Sequence, residues 1–193
     1  MALIPRAAKY SDLFEWQLYN AAAVGMGLTG ENYLYNNPLA CRGGITRKAW
    51  YAVPCCPSNL SLTWADLGIY IYSTDQNAVW IHQYIGSQTK LNPGGAVEIT
   101  LRRTHPRVKR HQNKADLTRG PLVYCLESVD NPGVDIFSAR LEPTTLHAEY
   151  AADLLGGITL LSGQTTDGAS LTFIPYHLWA NRGESQMMVW VNV

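Results

Sequence analysis

The hydrophobic period of this chain changes once, near Thr74, and that change limits the fold more than any other feature. Before it, apolar residues recur at helical spacing. In "YSDLFEWQLYNAAAVGMGL" Leu13, Trp16, Leu18, Ala22 and Val24 share a broad face, with Ser11 placed as an N-cap and glycines from Gly25 to Gly30 ending the run. In "SNLSLTWADLGIYIYS" Leu60, Trp64, Leu67 and Ile71 repeat the pattern, and Pro57 stands at the entrance, where a missing amide hydrogen is tolerated. The spacing predicts helices near residues 9–28 and 57–73.

Beyond Thr74 the period falls to two. "NAVWIHQYIGS" sets Val79, Ile81, Gln83 and Ile85 against Trp80, His82 and Tyr84, and "AVEITLR" alternates likewise. "GPLVYCLE", "GITLLSG", "ASLTFIPYHLW" and "QMMVWVNV" read as further strands between Gly, Asn, Asp and Pro turns. Helices first and antiparallel strands later define an α+β chain, with a helical part over 1–75 and a partial β-sandwich over 76–193. The basic run "RRTHPRVKRHQNK", from Arg102 to Lys114, reads as a solvated loop.

Fifteen basic residues balance fifteen acidic ones, which argues against nucleic acid or an anionic membrane as the main partner. No stretch approaches the length of a membrane span, and "MALIPRAAKYSD" has no apolar signal core, which favours a cytoplasmic chain.

The chemistry concentrates in "VPCCPSN". Half of the four cysteines stand side by side there, as Cys55 and Cys56, and adjacent residues fit disulfide geometry badly. The irregular spacing of Cys41, Cys55, Cys56 and Cys125 is not that of a disulfide framework. The pair lies at the N-terminal mouth of the second helix, where the helix dipole favours thiolate over thiol. Three readings stay open. The two residues are buried small hydrophobes, or part of a zinc site with His82 or Cys41 as further ligands, or they include a nucleophilic thiolate that wants a base or a metal. Cys125 reads as core, His82 as a structural strand histidine, and Asp12, Glu15 and Asp66 as solvated helix faces. Trp50 and Tyr51 are candidates for stacking on a sugar ring, whereas Trp64 reads as core.

Two long passages, "YSDLFEWQLYNAAAVGMGLTGENYLYNNPL" and "RKAWYAVPCCPSNLSLTWADLGIYIYS", resemble the late barrel helices of glycoside hydrolase family 127, the β-L-arabinofuranosidase family. "VWIHQYIGS", "RGPLVYCLE" and "IPYHLWANRGESQMMVWV" resemble its sandwich portion in the same order. The resemblance implies the end of an (α/α)6 barrel followed by sandwich strands. It also implies that Cys55 is the nucleophile of a retaining glycosidase and that Cys55 and Cys56 both ligate zinc. The carbohydrate partner it implies is an L-arabinofuranose-type glycan. Departures accompany it. No Glu-x-Cys motif is present, Leu62 replaces the family's Arg, and a long sandwich segment is missing between "VEITL" and "RRTHPRVKR". The expectation is therefore a truncated, internally deleted member with zinc absent or weakly bound. Without a general acid these residues alone should catalyse poorly. A barrel wall without its neighbours also leaves apolar surface open to self-association. The alternative is a non-catalytic β-rich remnant with a structural or carbohydrate-contact role.

Overall fold

The computed structural model describes residues 8–75, 78–90, 96–99 and 106–193, and the statements below concern these. Helix α1 (Ala8–Gln17) runs through a wider π turn (Leu18–Ala22) into α2 (Ala23–Gly25). Strand β1 (Ala40–Cys41), helix α3 (Cys55–Ala65) and a 3-10 turn (Leu67–Tyr70) follow. Next come β2 (Tyr72–Thr74), β3 (Val79–Ile81), β4 (Ser87–Lys90) and β5 (Ala96–Ile99). Then β6 (Pro106–His111), β7 (Lys114–Arg119), β8 (Leu122–Glu127) and β9 (Leu141–Ala151). The chain ends with β10 (Ile158–Thr165), β11 (Ser170–Pro175), β12 (Met187–Met188) and β13 (Val191–Asn192). Helical elements first and antiparallel strands later is the order expected from the period change.

Strands β2 and β3 form one small antiparallel pair, and β4 and β5 another. The other strands among the described residues join a nine-stranded sheet in the order β1-β12-β8-β11-β10-β9, with β7 linking β8 to β6 and β13. Strand β1 comes from the early, helical part of the chain, yet Ala40 and Cys41 pair with Met188 and Met187. The Val189 amide also donates to the Leu39 carbonyl at 2.9 Å, so the two ends of the sequence interlock.

Period-two alternation in this sheet feeds two cores, because successive side chains on a strand point to opposite faces. From β8, Tyr124 and Leu126 enter a cluster with Leu117, Leu141, Leu161 and Phe173. Cys125 between them enters the other cluster, with Val24, Leu34, Tyr176, Trp179 and Met187. The second cluster is where the sheet meets the helical elements. Asn20 closes that contact: its Nδ2 donates to the Pro121 carbonyl at 2.6 Å, and its Oδ1 accepts the Val123 amide at 2.8 Å.

Several boundaries differ from the sequence reading. Ser11 lies inside α1 and is no cap, because alanine and lysine upstream sustain the helix from Ala8. The first helical run stops at Gly25, where an added Cβ would meet Leu60 Cδ2 at 2.8 Å; glycine is what lets α3 approach. Leu13 and Trp16 of the expected apolar face remain exposed, and only Leu18, Val24 and Gly25 of that run are buried. The second helix spans 55–65 instead of 57–73: Asp66 and Gly68 end it, and the β-branched and aromatic tail becomes β2. The basic run is a correction of kind. Its described part is a hairpin, with Val108 opposite Leu117 across β6 and β7. Cationic side chains on an edge strand hide the alternation beneath them. Residues 100–105, which open that run, lie outside the described part. No described helix is long and apolar enough to cross a membrane.

Arg47 fastens the sheet to the helical elements. Its guanidinium donates to the carbonyls of Val24 at 3.0 Å and Trp179 at 3.0 Å, with His177 O at 3.4 Å. His177 is half-buried beside it, with no hydrogen-bond partner on Nδ1. Burial first, and the Arg47 charge second, push the His177 pKa down to about 4. Between the ordinary histidine value near 6.5 and that depressed value, the unfolded chain binds a proton the folded chain refuses. Stability should therefore fall as pH drops through this window, by about 3 kcal/mol for this one group once the window is crossed. Urea unfolding of the protein and of His177→Gln at pH 7 and pH 4.5 checks it. The variant should show the shallower pH dependence, and parallel curves would exclude the linkage.

Candidate active site

Cys55 is the first residue of α3 and Pro54 its cap, so both vicinal thiols stand in the first turn, where backbone amides lack helical partners. The Ser58 amide returns to the Pro54 carbonyl at 2.9 Å and Asn59 Nδ2 to the Cys55 carbonyl at 3.0 Å, which fixes that turn. Pro57 is the one buried residue of α3, and it roots the helix below the thiols. Both thiols are free and exposed, so the reading of a buried pair of small hydrophobes falls.

A tyrosine network aims one of them. The Tyr33 amide and carbonyl pair with Lys48 at 2.8 and 2.9 Å, and the Tyr33 hydroxyl lies 3.1 Å from Ser61 Oγ on α3. The Tyr51 hydroxyl donates to the Tyr33 carbonyl at 3.2 Å and accepts the Tyr35 amide at 3.2 Å. The Tyr35 and Tyr51 rings also meet, with centroids 5.2 Å apart. Held this way, the Tyr35 hydroxyl reaches Cys55 Sγ at 3.4 Å, and Cys56 Sγ lies 3.7 Å from Cys55 Sγ.

The electrostatics follow from the geometry. The Tyr35 hydrogen bond is the largest influence on Cys55 and lowers its pKa, with the Cys56 thiol and the first-turn amides acting in the same direction. The Tyr35 phenol moves the opposite way, well above its ordinary value, because its proton is held against sulfur. Tyr35 is thus the donor in this contact, which favours the thiolate form of Cys55 over the thiol. The sequence reading missed Tyr35. The signal was the alternation in "NYLYNN", which puts Tyr33 and Tyr35 on one side of Leu34.

The other candidates separate. Cys125 is fully buried, and burial, with Glu127 and Asp130 nearby, pushes its thiol well up. Cys41 is buried in the sheet. His82 Nε2 lies 2.6 Å from Ser73 Oγ, a structural contact between β2 and the residue after β3. Trp50 stays exposed, edge-on to Tyr33, and Trp64 is half-buried with Nε1 unpartnered. Leu62 points to solvent.

The spacing of the pair suits zinc, but the number of ligands does not. Two sulfurs bonded to a tetrahedral zinc at about 2.3 Å stand about 3.8 Å apart, close to the separation here. Yet Cys41 and His82 are engaged elsewhere, and no group of three or more His, Cys, Asp or Glu among the described residues is placed to hold a metal. The described residues supply half of a zinc shell and do not fit a complete one.

Comparison with known proteins agrees with this assembly of helical elements and sheet. The profile of the GH127 catalytic domain of β-L-arabinofuranosidases matches residues 1–68, and that of the glycoside hydrolase family 127 C-terminal domain matches residues 99–192. The chain belongs to glycoside hydrolase family 127. It is 24% identical over 296 residues to the non-reducing end β-L-arabinofuranosidase of Bifidobacterium longum subsp. longum, covering 94% of this chain and 45% of that protein. That alignment is much longer than the stretch of this chain inside it, which agrees with a missing internal segment. The crystal structure of a GH127 β-L-arabinofuranosidase from Geobacillus stearothermophilus T6 superposes on the whole chain with a TM-score of 0.80 at 24% identity, using 47% of that protein. A second solved GH127 β-arabinofuranosidase gives 0.81 at 22% identity, again over 47% of its length. The chain thus spans about half the length of the relatives it matches.

Proposed function

We propose that these residues form the nucleophile-bearing part of a retaining glycoside hydrolase acting on β-L-arabinofuranosides. One observation carries the reading: an exposed Cys55 thiol in the first turn of α3, under the Tyr35 hydroxyl, with its pKa lowered by that contact. A thiolate so placed is an activated nucleophile. Cys55 Sγ attacks the anomeric carbon, and the C–S bond forms as the bond to the leaving oxygen breaks. The leaving oxygen takes a proton from solvent, and the water that attacks in the second step returns one to solvent. Water then attacks the same carbon, sulfur departs as thiolate, and two inversions restore the starting configuration, with sulfur in the place carboxylate takes in other retaining glycosidases. Tyr35 holds its proton throughout, so it steadies the thiolate before attack and receives it again on departure.

A second reading, a non-catalytic structural or carbohydrate-contact role, has its own support. Among the described residues the groups that act on Cys55 are Tyr35, Cys56 and the first-turn amides, so no carboxylate acid is among its contacts. Leaving-group dependence separates the two. Nitrophenolate departs with little acid help, so the chain should release it from 4-nitrophenyl β-L-arabinofuranoside slowly but in a Cys55-dependent way. The methyl glycoside should resist. Equal release by Cys55→Ala would leave the non-catalytic reading standing.

A further inference from the structure

A cavity of about 660 Å³ opens at the far end of the nine-stranded sheet, where the β6–β7 turn meets β1 and the β12–β13 segment. Its size lies within the range of small-molecule sites. Met188 is buried and forms its apolar floor, and Trp190 stands half-buried in its wall. Trp190 is held there by packing partly against the core cluster of Val189, Tyr176 and Trp179, and its remaining surface lines the cavity. The His111 ring meets it edge-on at 6.3 Å and limits its motion.

Polar groups border the indole. Gln112 and Asn113 form the two-residue turn between β6 and β7, and Lys114 follows. Gln112 has φ +56°, a left-handed conformation uncommon for a glutamine, and strain of this kind collects at functional sites. All three side chains are exposed and extend from a turn locked by the hairpin pairing of His111 with Lys114. Among the described residues that line the cavity there is no Asp or Glu.

An aromatic face, two amides and one ammonium define a ligand. We propose that this cavity binds a uronic-acid residue of an acidic glycan, at a site separate from the thiol pair. The apolar face of the sugar ring stacks on Trp190, Gln112 and Asn113 bond to its hydroxyls, and Lys114 meets its carboxylate. The choice of a glycan rests on the glycosidase reading above, whereas the acidic preference rests on the charge of the lining. An acidic side residue bound here would anchor a branched substrate while another part of it reaches Cys55.

The indole N–H of Trp190 gives a local readout in a two-dimensional nitrogen–proton spectrum. Titration with a galacturonic acid trisaccharide should move that signal to saturation, and neutral arabinotriose should bind about five-fold more weakly or worse, the loss of one ionic contact. Lys114→Ala, an exposed change that leaves the fold intact, should bring the acidic trisaccharide down to the neutral one and remove its salt dependence. Cys55→Ala should bind both as the parent does. If Cys55 proves inert while Trp190 still titrates, the glycan site survives the failure of the nucleophile reading. An unmoved Trp190 signal, or equal binding of acidic and neutral trisaccharides, overturns the proposal.

Discussion

Glu127→Ala is expected to destabilise the fold by about 4 kcal/mol, through loss of a buried carboxylate that several donors share. Glu127 is fully buried at the end of β8. Its Oε1 accepts the Ala180 amide at 2.8 Å and the Ser185 hydroxyl at 2.5 Å, and its Oε2 lies 2.6 Å from the Arg182 guanidinium. Arg182 also binds Asp130, which holds its charge through a second carboxylate. Truncation therefore strands two buried neutral donors, at about 1–3 kcal/mol each, while Arg182 keeps a partner. Glu127→Gln retains an acceptor for Ala180 and Ser185 and should cost about half as much. Ala180 itself sits at φ +58°, a conformation unfavourable for alanine by about 1 kcal/mol, and its bond to Glu127 sustains it. Urea midpoints of the three proteins decide the matter. A loss below about 1 kcal/mol in Glu127→Ala would mean that the 180–185 turn finds other partners.

That turn matters to the candidate site because the described contacts run on from it. The Trp179 carbonyl receives Arg47, Lys48 pairs with Tyr33, and Tyr33 supports both Tyr51 and α3. Much of this was legible in the sequence, and the reason is local. The change of period was visible because helical and strand periodicities need only a dozen neighbouring residues. Cys125 was assigned to the core because Tyr124 and Leu126 alternate with it.

What escaped depended on context that no short window holds. Strand β9, "LEPTTLHAEYA", lies at the edge of the sheet with side chains that are half-buried or exposed after Leu141, and it carries a proline, so its pattern is weak. The β6–β7 hairpin was hidden by its charge and by a Gln-Asn turn that lacks the usual glycine. Tyr35 was missed for a different reason. It meets Cys55 across twenty positions of chain, brought there by the Tyr33–Lys48 bridge and the Tyr51 hydroxyl. The sequence placed a vicinal cysteine pair at a helix entrance, but the group that hydrogen-bonds one of them is a tertiary contact.

Cys55 should be alkylated by iodoacetamide at neutral pH on the order of a hundredfold faster than Cys125 or Cys41. Two differences add. Cys55 is exposed, while Cys125 and Cys41 lie in the sheet and react only when the structure opens. The Tyr35 hydrogen bond also lowers the Cys55 pKa, whereas burial raises that of Cys125. Cys56 shares the exposure but interacts with Tyr35 less than Cys55 does, so peptide mapping should place it between Cys55 and the buried thiols. Tyr35→Phe tests the cause. The ring stays against Tyr51 while the hydroxyl is lost, so the Cys55 pKa should return upward and its labelling near pH 7 should slow. Above the ordinary thiol range, near pH 10, both proteins are fully ionised there, and the variant should match or exceed the parent because a more basic thiolate is intrinsically the better nucleophile. This crossing of the two pH profiles belongs to a hydrogen bond on sulfur and not to a loosened fold, which would raise labelling at Cys41 and Cys125 at every pH. Profiles that run parallel, or faster labelling at either buried cysteine, would remove Tyr35 from the chemistry of the site.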